Sequence, residues 1–184
     1  MVGGVTGADQ IWIPMDRQIT EHLSYDECVR SQTATRHGID NTPTFRQMLV
    51  IERMAREFFE PLREALAVPI RINSLYRSTE LNRRIGGSPQ SDHMIEADTA
   101  AIDLDDSYSR RMGVSNRDIF LYIQKHLPYY KMIWEYEDVP TAAGERSPRW
   151  VHVSYSTSAA RNQERRTLYT NGAGYRAFRR QDLG

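Results

Sequence analysis

Apolar residues recur at helical spacing most clearly between residues 45 and 66, at Phe45, Met48, Leu49, Ile51, Met54, Ala55, Phe58, Phe59, Leu62 and Leu66. The pattern predicts a long helix opened by Thr42-Pro43, kinked at Pro61 and ended before Pro69. Ser24 with Glu27 three positions on is a capping-box pattern, so a shorter helix is expected to run from there through Cys28, Val29 and Ala34 to Gly38. The period then changes. Ile70 to Ser74 and Ala101 to Asp105 alternate apolar with polar residues, predicting strands, and Ser78 with Glu80-Leu81-Asn82 predicts a brief helix closed by Gly86-Gly87. A third helix is expected from the cap Ser115 to the residues before Pro128. Strands around Met132 to Tyr136 and Trp150 to Tyr155 follow, joined by a hairpin loop carrying Pro140, Gly144 and Pro148.

Helices gathered first and short strands later indicate an α+β fold, with helices packed on a small, largely antiparallel sheet. A length of 184 residues suits one domain. Residues 1–15, with three glycines, read as a flexible arm, residues 16–158 as the domain, and residues 159–184 as a basic extension in which six arginines face only Glu164 and Asp182. With 40% hydrophobic and 26% charged residues the composition is that of a soluble globular chain. Basic and acidic side chains number 24 each, which removes the broad attraction that nonspecific nucleic-acid binders use; no nucleic-acid partner is expected. Of the 24 basic residues only Lys125 and Lys131 are lysines. The lone Cys28 can form neither an internal disulfide nor a multi-thiolate metal site. The start, MVGGVTGADQ, has no signal-peptide pattern, and there is no long apolar run, so neither ordinary secretory export nor a membrane span is expected.

Of the five histidines, His22, His37 and His126 sit in or beside predicted helices among polar neighbours and read as surface residues. His93 lies in a turn-like segment and His152 on a strand whose Val151 and Val153 face the core, which turns the imidazole to the opposite face. Asp103 likewise points away from Ile102 and Leu104. Two imidazoles and a carboxylate with a fourth position open form a common catalytic zinc set, and His93, Asp103 and His152 can supply it. Spacing alone does not decide the matter.

The segments Ile72-Asn73-Ser74-Leu75-Tyr76-Arg77-Ser78, Leu81-Asn82, Gly86-Gly87-Ser88, Ser91-Asp92-His93, Ala101-Ile102-Asp103 and Trp150-Val151-His152-Val153-Ser154 together resemble the zinc D-Ala-D-Ala peptidases. That superfamily also holds the phage L-alanyl-D-glutamate endopeptidases and the Hedgehog signalling domain. Upstream, Arg36 to Pro43 resembles the turn before the long helix in its phage and bacterial branch. The resemblance covers roughly residues 17 to 156. It implies that His93, Asp103 and His152 hold zinc, with water in the fourth position. Arg77 matches an arginine near the substrate carbonyl, its plain alternative being a buried partner for a structural carboxylate. Ser91 and Tyr76 match positions beside the pocket, with turn capping and packing as the alternatives. For the general base the resemblance implies an acidic residue near the last histidine; Glu135 fits if the hairpin brings it opposite His152, and Glu137 and Glu145 are the other candidates.

The pattern is departed from at three places. Leu75 and Thr99 replace glycines, and ten positions separate His93 from Asp103 where the family has seven, which leaves Asp98 as a second candidate ligand. The resemblance implies a zinc peptidase that cuts amide bonds in peptidoglycan stem peptides or crosslinks, as a carboxypeptidase or an endopeptidase. The expected setting is a phage lysis or virion protein, held in the host cytoplasm before release or carried on the virion, that acts at the cell wall. The alternative is a virion or tail module, contacting other virion proteins, that keeps the fold with weak or no catalysis.

Overall fold

In the computed structural model, which describes residues 17–137 and 140–183, the chain enters through a hairpin of β1 (Gln18–Thr20) and β2 (Leu23–Ser24). The arm expected over residues 1–15, and Asp16, lie outside the described residues. Ser24 caps α1 (Tyr25–Val29) through the reciprocal bonds with Glu27 that the sequence predicts. The one helix expected up to Gly38 is instead two. Arg30 is extended, and Ser31 caps α2 (Gln32–His37) by accepting from the Ala34 amide, a better use of a serine than a helix interior. His22, expected beside a helix, lies in the hairpin turn with Nδ1 2.6 Å from a Glu60 oxygen.

The long helix begins two residues later than expected, because Thr44 and not Thr42 forms the capping box, with Gln47. It runs as α3 (Phe45–Met54), one π-helical turn (Ala55–Phe59) and α4 (Glu60–Leu66). Pro61 accounts for the wide turn. It has no N–H to offer the carbonyl four residues back, and its ring would crowd that carbonyl, so the preceding turn opens and the Glu60 amide bonds the Ala55 carbonyl instead. The helix ends at Ala67, which is left-handed at φ 52°.

The remaining chain supplies β3 (Arg71–Ser74), α5 (Thr79–Arg84), β4 (Thr99–Asp105), α6 (Asn116–His126), β5 (Lys131–Glu137), β6 (Pro148–Ser156), α7 (Ala159–Asn162), β7 (Arg166–Thr170) and β8 (Tyr175–Ala177). These strands form one sheet in the order β3-β4-β6-β5-β7-β8, antiparallel throughout except where β7 runs parallel to β5. The fold is therefore α+β with a largely antiparallel sheet, as the sequence pattern indicates. Within the stretch expected as an extension, Arg166–Thr170 and Tyr175–Ala177 add β7 and β8 to that sheet. Among the described residues no helix is long and apolar enough to cross a membrane.

One face of the sheet, with Ile102, Leu104, Met132, Trp134, Val151 and Val153, joins Ile51, Met54, Phe58, Phe120 and Ile123 of the helices in a single apolar core. Alternation along the central strands presents the polar side chains to the other face. Ile102 is fully buried next to Asp103. Ile102→Ala should lower the unfolding free energy by about 2–5 kcal/mol, measured by urea denaturation.

Candidate metal centre and active-site cleft

The register of β4 against β6 sets Asp103 directly opposite His152, on the face turned away from the apolar core. On β5 it is Ile133 that lies opposite His152, while Glu135 lies opposite Trp150. Glu135 is thus on the same face and diagonal to His152, one pair along from the position expected of it. His93 comes from a different element, a 3-10 turn over Asp92–Met94.

Three bonds fasten that turn to its surroundings. The Arg77 amide donates to the His93 carbonyl at 3.0 Å, Gln47 Nε2 of α3 donates to the Met94 carbonyl at 2.9 Å, and the imidazole itself bonds the Leu75 carbonyl. Buried Asn41 holds the segment between β3 and α5, donating to the Val29 and Tyr76 carbonyls and accepting from the Ser78 amide at 2.7 Å. The ten-residue interval from His93 to Asp103 is taken up by a left-handed Ile95, at φ 52°, and by the residues that start β4. The longer spacing therefore still delivers both side chains to one place.

A bulge on β3 completes the frame. Ile72 pairs with Leu104, but the next pair is Ser74 with Asp103, so Asn73 is the extra residue and Ser74 reaches the polar face. Ser74 Oγ accepts from Arg77 Nε at 2.8 Å, and Arg77 Nη2 donates to Asp103 Oδ2 at 3.0 Å.

His93, Asp103 and His152 are all buried, and one ligand atom from each lies within 4.8 Å of the others. His93 Nδ1 lies 2.6 Å from the Leu75 carbonyl oxygen, which can only accept. Nδ1 therefore carries a proton, and Nε2 lies 3.3 Å from Asp103 Oδ2. His152 turns the opposite nitrogen inward, with Nδ1 2.9 Å from Asp103 Oδ1 and Nε2 3.2 Å from Ser154 Oγ. Burial works against charge on Asp103, but the two facing histidines outweigh it and hold the carboxyl far below the usual range. Burial lowers the pKa of His152, with Asp103 opposing, so its neutral, metal-binding form is favoured. Two imidazoles and a carboxylate fit zinc in donor type and number. Asp98, the other candidate ligand, lies at the far end of β4, bonded to Ser156 Oγ at 3.0 Å and near Arg161.

This trio forms the floor of a cleft of about 570 Å³. Arg77, Ser91 and Glu135 line it, with Lys131, Trp150 and Tyr175. Burial, then the negative charge of Asp103, pushes the Glu135 carboxyl up to about 7 against the pull of Arg77 and Lys131. Tyr76 is not brought in. Its side chain is buried and lines a neighbouring groove, in keeping with the packing alternative. Glu145 lies in the β5–β6 connection, 3.4 Å from Arg117 and away from the cleft, and Glu137 lies opposite Pro148 at the end of β5. Arg77 pairs with a buried carboxylate and also lines the cleft.

Sequence reasoning missed Lys131, Ser154, Leu168 and Tyr175, and gave Asp92 no role. Lys131 pairs in register with Ser154, a relation fixed only once β5 and β6 are aligned. Leu168 and Tyr175 belong to the strands in the presumed extension.

The family model described as Peptidase M15 matches residues 21–118, which include Arg77, His93 and Asp103. No curated protein matches the chain. The matched span is more than half of the sequence, and the His-Asp-His group agrees with the zinc dependence of the family. The chain belongs to the peptidase M15 family of zinc metallopeptidases.

Proposed function

We propose that this protein hydrolyses amide bonds in peptidoglycan stem peptides or crosslinks. The observation that carries the reading is the meeting of His93 Nε2, Asp103 and His152 Nδ1 on the floor of an open cleft whose walls hold one carboxyl tuned to near neutrality and one guanidinium. His93, Asp103 and His152 would hold the metal. A zinc ion there supplies Lewis acidity toward the scissile carbonyl and the attacking water.

The chain's own side chains do the rest. Glu135, with a pKa near 7, can take a proton from water at neutral pH and return it to the departing amine. Arg77 is held by Ser74 and Asp103 through two of its nitrogens, which leaves Nη1 for the negative charge that develops on the carbonyl oxygen. Ser91, on the rim, offers a hydroxyl to the peptide. The reading as a fold-retaining virion module rests on the motif departures, and the geometry weighs against it. Ile95 absorbs the longer spacing, and Leu75, in place of a glycine, contributes a carbonyl that orients His93.

The test is zinc content together with digestion of purified peptidoglycan. Wild type should carry one zinc per chain and release peptide fragments, with chelator abolishing release; His152→Ala and Asp103→Asn should lose both properties. Glu135→Gln should retain zinc while hydrolysis slows by about 10²–10⁴-fold. A metal-replete wild type without zinc would overturn the proposal.

A pH dependence follows for the metal-free protein. The Glu135 carboxyl is raised from 4.5 in the unfolded chain to about 7 in the fold. Its contribution to stability is therefore present below pH 4.5 and lost as pH rises toward 7, a change of up to about 3 kcal/mol. Urea denaturation of apo wild type against apo Glu135→Gln, across that window, should show the difference between them growing with pH in favour of the variant.

A further inference from the structure

A second groove, also of about 570 Å³, runs along the free edge of the sheet between β3 and the junction of α1 with α2. It shares Arg77 and Ile85 with the candidate active-site cleft, so the two hollows meet beside the metal floor. Arg30, Arg71 and Arg77 line it, and among the described residues no aspartate or glutamate does. In a chain with 24 basic and 24 acidic side chains, that separation belongs to the place and not to the composition. The proposed hydrolysis uses only Arg77 of the three.

The bulge on β3 sets these groups in line. Arg71 pairs with Asp105 and Ser74 with Asp103, and paired residues share a face, so Arg71 and Ser74 both stand on the polar face that carries Asp103. Arg77 is tied to Ser74 and Asp103, whereas exposed Arg71 enters no hydrogen bond or ion pair among the described residues. Across from it, Asp105 Oδ1 accepts from the Ser107 amide at 2.8 Å and from the Ser107 hydroxyl, so that oxygen is engaged elsewhere. From the opposite wall Arg30 Nη2 donates to the Ile72 carbonyl at 3.0 Å, which pins the guanidinium at the strand edge. Counting Asp103 against Arg77 and Asp105 against Arg71, Arg30 still leaves the groove positive. Exposed Ile85 and Tyr108 add apolar surface beside the charges.

We propose that this groove is a carboxylate-binding arm of the substrate site, in which Arg30 and Arg71 grip a free carboxylate of the peptide whose amide bond lies over the metal floor. The inference deepens the peptidase reading and rests on it. A guanidinium suits this ligand because two parallel N–H donors match the two oxygens of a carboxylate. Peptidoglycan stem peptides carry such groups on their acidic residues and at their C-terminus. A carboxylate held at the sheet edge would bring a neighbouring carbonyl to Arg77, where the two hollows join.

The probe is the synthetic peptide L-Ala-γ-D-Glu-L-Lys-D-Ala-D-Ala, compared with the same peptide amidated at both free carboxyl groups. Each is titrated by calorimetry into metal-free protein, so that binding is read without turnover. Wild type should bind the acid form about 10-fold more tightly than the amide, the gain expected of one charge-assisted pair. Arg71→Gln should bring the two affinities to within about twofold of each other, and Arg71→Lys should keep part of the preference. Arg30→Gln should act in the same direction as Arg71→Gln. Arg180→Gln removes the same charge beyond β8, at the other edge of the sheet, and should leave the preference intact. A wild type that binds acid and amide equally, or a folded Arg71→Gln that keeps the preference, overturns the inference. Digestion of the same two peptides with zinc present separates the two readings. Cleavage without preference for the acid form retains the peptidase and removes the carboxylate arm; a binding preference without cleavage retains the carboxylate groove and removes the peptidase.

Discussion

The site depends on keeping one carboxylate ionised where little water reaches it. Asp103 is only 7% exposed, and an unpaired charge at that depth would cost several kcal/mol. Arg77 supplies the balancing charge at 3.0 Å, and the two imidazoles take the remaining directions. Each feature nearby serves that arrangement. The β3 bulge brings Ser74 round to hold Arg77, the Leu75 carbonyl orients His93, and the pairing of β4 with β6 sets His152 across from Asp103. Because Arg77 offsets Asp103 and Lys131 offsets Asp92, the charge left over in the cleft is that of Glu135. A divalent cation on the floor would favour ionised Glu135, so metal uptake and readiness of the base are coupled through space.

The strands carrying these groups are two-sided. In β4, Ile102 and Leu104 lock into the apolar core while Asp103 stands in the cleft, and β6 repeats the scheme with Val151, His152 and Val153. Ligands built on central strands inherit the rigidity of the core, which a site made only of loops would lack. His93 is the exception, since it rides on a short turn. It is also the candidate ligand with the most external fastenings, from Arg77, Gln47 and Leu75. The weakest element has acquired the most supports.

How much of this was legible in the sequence follows from the range of each interaction. Ser24, Ser78 and Ser115 were readable as helix caps because capping is settled within three residues. The faces of Asp103 and His152 followed from alternation, which is local as well. The choice of Asp103 over Asp98 was not readable, because it depends on how far the chain travels after the left-handed Ile95. The diagonal position of Glu135 needed the hairpin register. The strands β7 and β8 were hidden because their pairing is long-range and, for β7 on β5, parallel, with Leu168 and Tyr169 too short an apolar run to announce a strand. Tyr76 illustrates the opposite risk: a position matched by motif whose ring is spent on packing.

The far wall of the cleft lies outside the span that identifies the family. The match ends at residue 118, whereas Glu135, Tyr136, Trp150, His152, Leu168 and Tyr175 all follow it. Tyr136 comes directly after Glu135 on β5, and regular alternation would send its ring to the opposite face; a positive φ of 55° instead turns it into the same cleft, where its ring centroid lies 5.1 Å from that of Trp150. That conformation is costly for a tyrosine and persists only if the surroundings impose it. Gly172 is part of those surroundings, since a Cβ there would come within 3.0 Å of the Tyr136 ring. The stretch that reads in sequence as a surface extension thus shapes an aromatic wall beside the candidate metal floor. The division that results places two of the three candidate ligands and Arg77 within the matched span, and Glu135, His152 and the aromatic wall beyond it.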